Sequence, residues 1–364
     1  MTPRILFIVP LPPPIHGSAM MCQYIHDSKL INESFRCDYV NLSTSRRMEE
    51  IGNRSLVKVF RFIGSYFAVL WHLLSHRYAA CYLAITCHGI GFLKDAPFVL
   101  LCKLFVKKVI IHQHNKGMAD DVDRWLYRWL LPLVYRNTTV ILLSWKLYPD
   151  IERVVKRDQV VICPNGIPDI KPQPSRLPNP VPHLLFLSNL LESKGVIDLL
   201  DACKILKERG YRFVCNFVGS ETHEINAERF RREVHSRELD QMVHYKGSKY
   251  GEEKVRQFVA TDVFVFPSCN DCFPLVLLEA MQYSLPVVST NIGATTDIVK
   301  HKATGFIAEM HSPKNLADKI SQLLDNPISV QQMGKEGRKR YFEFFTIDKY
   351  EDRIKIIFDN ILNI

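Results

Sequence analysis

The sequence predicts an α/β fold of two doubly wound halves, each a parallel sheet with helices on both faces. Three observations predict it. Short apolar runs alternate with longer stretches of helical periodicity along the whole chain, the pattern of parallel strands joined by crossover helices. A proline-dense stretch, residues 164–182, interrupts that alternation near the middle. It can be neither helix nor central strand and reads as an interdomain linker. The length of 364 residues fits two ordinary domains better than one, and 47% hydrophobic residues suffice for two cores.

In the first half the strand runs are residues 5–9, 37–40, 80–85, 109–112, 140–142 and 160–162. Between them, residues 18–30, 56–74 and 124–135 carry apolar side chains at i, i+3 and i+4. After the proline stretch the strands are 183–187, 213–218, 242–245, 263–266, 286–289 and 305–308. The helices there are 195–208, 227–237, 252–260, 275–283 and 313–324, followed by two final helical segments, 329–345 and 347–361. Domains of 1–168 and 169–345 follow. Ligands of open parallel sheets bind beyond the carboxyl ends of the strands, and each motif of interest follows a strand.

A net charge of +9 and a pI near 9.0 raise nucleic acid, an anionic membrane or an anionic substrate as partners. Lys and Arg are scattered among acids with no homopolymeric basic run, which speaks against nucleic acid. Ten cysteines without a framework read as reduced, buried thiols of a cytoplasmic protein. The opening M-T-P-R-I-L-F-I-V-P reads as a first buried strand, not a signal peptide. Residues 62–74 form the longest uncharged apolar stretch, short of the ~20 needed to span a bilayer. Arg46, Arg47, Arg54, Lys58 and Arg61 precede it, and it contains Tyr66, Phe67 and Trp71. Such a basic, aromatic, amphipathic stretch suits the headgroup region of an anionic membrane, or else packs as a core helix with a solvated basic face.

The most informative segment is D-C-F-P-L-V-L-L-E, Asp271 to Glu279, which leads from a strand into a helix. Pro274 is placed at the first helical position, where a missing N–H costs nothing. The amides of Phe273, Leu275 and Val276 then lack intrahelical acceptors, and with the helix dipole they favour a phosphate. Carboxylates on either side, Asp271 and Glu279, suit hydroxyl-rich groups. Sugar, diphosphate and ribose occur in that order in a sugar nucleotide. The loop from Pro10 to Met20 is no G-x-G-x-x-G, so a dinucleotide oxidoreductase is unsupported. His112 and His114, two apart after a strand, could point the same way, but no third or fourth ligand is spaced for a metal. Cys269 and Cys272 form a C-x-x-C with no second pair, and read as coincidental loop cysteines.

The segment resembles the E-x7-E signature of glycosyltransferase family 4, retaining enzymes of the GT-B fold with two Rossmann-like domains facing an interdomain cleft. The resemblance runs from Phe266 to Thr290, continues through Asp297–Val299 and Thr304–Phe306, and includes Leu190–Val196 and Pro164–Ile167. It implies that Glu279 holds the ribose hydroxyls and that Asp271, in place of the usual Glu, contacts the donor sugar. Lys194 resembles the lysine that grips the donor diphosphate, and Asn189 stands where the family commonly has an arginine. Gly17 and Ser18 resemble the turn whose amides approach the phosphate, and His114 matches a histidine facing the sugar. Gly219 and Gly247 match positions near the nucleotide. The resemblance further implies that the last helix, about 346–364, returns to the first domain.

The expectation is therefore retaining transfer of a sugar from a nucleotide sugar to a saccharide or lipid-linked saccharide, in polysaccharide or lipopolysaccharide assembly. No metal or other cofactor is expected, and the protein would be cytoplasmic, peripheral on the inner face of the membrane. A nucleotide-sugar 2-epimerase of the same fold and a non-catalytic nucleotide-sugar binder are the alternatives.

Overall fold

The computed structural model describes residues 2–43, 56–170 and 179–363. Two compact units divide the chain, Met1–Gly166 with Ile347–Ile364, and Ile167–Thr346. Each unit has one six-stranded sheet, parallel throughout, and all twelve expected strands form within two residues of their expected bounds.

In the first unit the strands are β1 (Arg4–Val9), β2 (Arg36–Asn41), β3 (Ala80–Leu83), β4 (Val109–Gln113), β5 (Thr139–Leu142) and β6 (Val160–Ile162), in the order β2-β1-β3-β4-β5-β6. Ile5 to Val9 and Ala80 to Leu83 are buried residue after residue, as strands covered on both faces must be. The helices are α1 (Gly17–Asp27), α2 (Lys29–Ser34), α3 (Leu56–Ser75), α4 (Gly89–Phe105), α5 (Met118–Asp121) and α6 (Trp125–Tyr135). The single helix expected over 18–30 is broken at Ser28, whose backbone is extended and whose hydroxyl accepts from the Ile31 amide to start α2. Helix α4 was not expected. Phe92, Ala96, Phe98, Val99, Leu101 and Cys102 bury it nearly all round, which blurs the amphipathic period, and Pro97 lies inside it.

Helix α3 corrects a second expectation. It is 20 residues long with a mean hydropathy of 1.3, enough by length and composition to cross a bilayer. The apolar run continues on the N-terminal side of Arg61 and Lys58, which the expected 62–74 segment excluded. Arg46, Arg47 and Arg54 lie outside the described residues.

The second unit repeats the architecture with β7 (His183–Leu187), β8 (Val214–Val218), β9 (Val243–Tyr245), β10 (Val263–Phe266), β11 (Val287–Thr290) and β12 (Gly305–Ala308), ordered β12-β11-β10-β7-β8-β9. Its helices are α7 (Val196–Glu208), α8 (Ala227–Ser236), α9 (Gly251–Val259), α10 (Leu275–Gln282), α11 (Thr295–Ile298), α12 (Pro313–Leu324) and α13 (Pro327–Phe344). The last helix, α14 (Ile347–Leu362), belongs to the first unit. Phe358 packs edge-on against Phe7, Phe35 and Tyr82, at 5.8, 5.5 and 5.7 Å between ring centres.

Part of the proline-dense stretch is bound into the second unit and does not run free as a linker. The Ile167 carbonyl accepts from the Tyr341 hydroxyl at 2.8 Å, and Asp169 pairs with Arg338 at 2.6 Å. Residues 171–178 lie outside the described residues.

Strand order decides where ligands can bind. In each sheet the order reverses once, between β1 and β3 in the first unit and between β7 and β10 in the second. Loops leaving neighbouring strands at such a point diverge to opposite faces and open a crevice at the carboxyl edge.

Candidate functional site

In the second unit the expected residues gather along the carboxyl edge in an order set by the sheet, not by the chain. Asp271 follows β10. Asn189 and Lys194 follow the neighbouring β7, Gly219 follows β8, and Gly247 follows β9.

The loops after β7 and β10 are tied together at the reversal point. The Ser193 carbonyl accepts from the Cys269 amide at 2.9 Å and from the Ser268 hydroxyl at 3.1 Å. Lys194 reaches across this junction. Its Nζ lies 2.6 Å from Asp271 Oδ2 and donates to the Asn270 carbonyl at 2.9 Å. Both side chains are about one-fifth exposed. An ion pair this open contributes at most about 1 kcal/mol, so it matters more for placing two charges beside one helix end than for stability.

Helix α10 begins at Leu275, and Pro274 is its N-cap, not its first helical residue. Its φ of −68° is helical, but its ψ of 109° is extended, so the turn closes one residue later. The Leu277 amide donates back to the Pro274 carbonyl at 3.1 Å. No side chain caps the helix, which leaves the Leu275 and Val276 amides open to an outside acceptor. Phe273 is buried against the Phe345 ring, 6.0 Å away, and anchors the chain as it enters the helix.

Glu279 sits little more than one turn in. Its Oε1 is 2.7 Å from Lys254 Nζ, which comes from α9. Lys254 is a residue the sequence reading missed. In G-E-E-K-V-R it looks like any solvated charge at a helix start, and only the ion pair across the folded unit shows its partner. Gly293 was missed as well. It has φ +51°, and a Cβ there would fall 2.4 Å from the Asp271 carbonyl oxygen and 2.5 Å from that of Cys272. The Ala294 amide donates to the Cys272 carbonyl at 2.7 Å. The loop after β11 thus presses on the back of the Asp271 loop at a distance only glycine permits. A glycine in T-N-I-G-A was the available signal.

Gly219 plays the same part between β7 and β8. Its φ is +155°, and a Cβ would fall 1.8 Å from the Ser188 carbonyl oxygen. Its amide donates to the Gly247 carbonyl at 3.1 Å, which joins Asn189, Gly219 and Gly247 into one stretch of edge backbone.

The remaining expected residues, Gly17, Ser18 and His114, lie in the first unit, where Ser18 and His114, but not Gly17, line a cavity of about 230 Å³ with His16, Lys94 and Asp95. Gly17 and Ser18 open α1, and His16 caps it, its Nδ1 accepting from the Ala19 amide at 3.4 Å and lying 3.1 Å from the Ser18 hydroxyl. His114 is partly buried, but both its ring nitrogens are enclosed, and neither has a hydrogen-bond partner among the described residues. Burial, and secondarily His16, pushes its pKa down to about 3, so at neutral pH it is an uncharged ring able to give one hydrogen bond and take another. The His112 ring lies against it, tilted by 32° at 4.1 Å between centres, and is held by the Tyr82 hydroxyl, 2.6 Å from Nδ1. That contact gives His112 a structural part and leaves His114 the one facing the cavity.

Asp95, on α4, was also missed. Its Oδ2 accepts from the Thr86 amide at 2.9 Å, its Oδ1 lies 3.3 Å from Lys94 Nζ, and burial pushes its pKa up. The K-D pair inside an apolar run was a usable sign of a carboxylate with a purpose. Among the described residues, no three His, Cys, Asp or Glu side chains come together as a metal-binding group.

Residues 169–340 match the model of the family described as glycosyl transferases group 1, which supports placing the second unit in that family. The chain is 26% identical over 177 residues to the capsular polysaccharide biosynthesis glycosyltransferase CapM of Staphylococcus aureus, covering 49% of this chain and 46% of that protein. The matched stretch spans less than half the length of the curated relatives. The fold is shared over nearly the whole chain with a glycosyltransferase of Rickettsia africae (TM-score 0.77, 15% identity, 99% of both chains covered). It is shared likewise with HepE of Anabaena, solved in complex with UDP and glucose (TM-score 0.73, 15% identity, 98% and 99% covered). The architecture is that of GT-B glycosyltransferases, as expected.

Proposed function

We propose that this protein transfers a sugar, with retention of configuration, from a nucleotide sugar to a saccharide or lipid-linked saccharide in cell-surface polysaccharide assembly. One observation carries the reading: an uncapped helix end, at the strand-order reversal of a group 1 glycosyltransferase unit, flanked by two lysine–carboxylate pairs. The polysaccharide-assembly names of several relatives support the choice of acceptor.

In this reading the Leu275 and Val276 amides and the Lys194 ammonium take up the charge that develops on the departing diphosphate. Lys194 exchanges its contact with Asp271 for phosphate oxygens as the donor enters. Asp271, released, accepts from a sugar hydroxyl, and Glu279, steadied by Lys254, accepts from the ribose. His114 and Asp95, with two kinds of polar atom facing one cavity, suit a hydroxyl-rich group. No general base is assigned, and the leaving phosphate oxygen takes the acceptor's proton on the face it departs from.

The test is a panel of nucleotide sugars, with release of the nucleoside diphosphate and the anomeric configuration of the product followed by NMR. Release with retention, abolished in Asp271→Ala, supports the proposal. Isomerised donor, or binding without release for every donor, overturns it in favour of an epimerase or a non-catalytic binder.

A further inference from the structure

We propose that one face of the first unit, formed by α3, α4 and α6, docks the protein on an anionic lipid surface. The inference rests on that surface and not on the transfer reaction.

Topology places these helices together. The connections β2→β3, β3→β4 and β4→β5 all step the same way across the sheet, and right-handed crossovers put their helices on one face. The contacts agree: α4 packs against both α3 and α6, with Phe98 against Phe62 and Tyr66, and Phe92 against Tyr127.

The outward side of this layer is apolar where a solvated helix would be polar. On α3, Leu56, Phe60, Ile63, Phe67, Trp71 and Leu74 recur at helical spacing and are 43–78% exposed, while Val69 and Leu73 on the other side are buried. On α6, which like α3 packs against α4, Trp125, Trp129 and Leu133 are 79, 73 and 55% exposed, and Leu104 near the end of α4 is 80% exposed. Contiguous apolar surface of this kind marks an interaction site.

Charge selects the occupant. Helices α3 and α6 contain no Asp or Glu, and the only one in α4, Asp95, is buried. Exposed Arg77, Lys107, Arg128 and Arg136 lie along or just beyond these helices. Just before α6, Asp120 and Asp123 are exposed, and Asp123 is paired with Arg153 at 2.7 Å; tryptophans on helices that expose cations and no acids of their own fit the headgroup region of an anionic bilayer. Although α3 is long enough to span, Val69 and Leu73, the rings of Phe62 and Tyr66, and the Ser65 hydroxyl bond to the Asn41 carbonyl at 3.2 Å hold it lengthwise against the unit. It therefore lies in the surface plane.

The test uses the full chain with phosphatidylcholine vesicles, with and without phosphatidylglycerol. Three of the four tryptophans, Trp71, Trp125 and Trp129, sit on this face, so acyl-brominated lipid should quench most of the fluorescence. Binding should require the anionic lipid and weaken in high salt. A Phe67→Ser, Trp125→Ser, Trp129→Ser variant should cosediment at least about tenfold less. The milder Arg128→Glu, Arg136→Glu pair, which spares packing, should weaken binding in the same direction. Failure of the wild type to bind vesicles, equal binding by the charge-reversal variant, or self-association of the wild type through this face with vesicles ignored would overturn the proposal.

Discussion

Acidification should unfold the first unit through its buried histidines. Both ring nitrogens of His114 are enclosed, and burial lowers its pKa from 6.5 to about 3. Between those values the unfolded chain binds a proton that the folded chain refuses, so stability falls as pH falls through the window and is unaffected by this group above it. Each pH unit is worth about 1.4 kcal/mol. A drop from about pH 7 to pH 5 crosses roughly 1.5 units of the window and costs about 2 kcal/mol for His114 alone. His112, itself fully buried and shifted the same way, adds to the loss. All four tryptophans, Trp71, Trp125, Trp129 and Trp145, lie in the first unit, so urea unfolding followed by their fluorescence reports on that unit. His114→Gln should lower stability at pH 7, yet lose about 2 kcal/mol less than the wild type on going to pH 5. The same pH dependence in both proteins would refute the assignment of a buried neutral ring.

The other predictions concern the second unit. Glu279→Gln should reduce kcat/KM for the nucleotide sugar about 10- to 100-fold, the loss of a hydrogen bond to a charged group, with melting temperature nearly unchanged; steady-state kinetics decides. Lys254→Met should raise the donor KM several-fold while leaving kcat close to wild type, because it frees Glu279 without removing it. With both side chains more than a quarter exposed, denaturant unfolding should register less than about 1 kcal/mol. Gly293→Ala should cost about 1–3 kcal/mol, as its Cβ meets two backbone carbonyls, and calorimetry measures it. Because those carbonyls belong to Asp271 and Cys272, nucleotide-sugar affinity measured by titration should fall with it.

The strands were legible because a strand buried on both faces must be apolar at every position, and runs such as Ile5–Val9 announce themselves. The same rule hid α4, since a helix buried nearly all round loses its period. The signature carboxylates were legible for a local reason: Asp271, Pro274 and Glu279 belong to one loop and one helix, and eight residues of chain fix their spacing. Lys254 and Gly293 were not, because each meets that segment from a separate element, and a helix-surface lysine or a loop glycine carries no mark of its partner. Asp95 gave a sign, a charge within an apolar run, but not its bond to Thr86.

The sequence by itself determined two parallel α/β units and a helix end poised between carboxylates, since period and capping are properties of neighbouring residues. Only the tertiary structure decided that Lys194 lies on Asp271 and Lys254 on Glu279. It alone also turned the apolar side of α3 outward, with α4 packed against both α3 and the tryptophan-bearing α6. Both follow from strand order and crossover hand, which bring together side chains tens of residues apart and which no local pattern encodes.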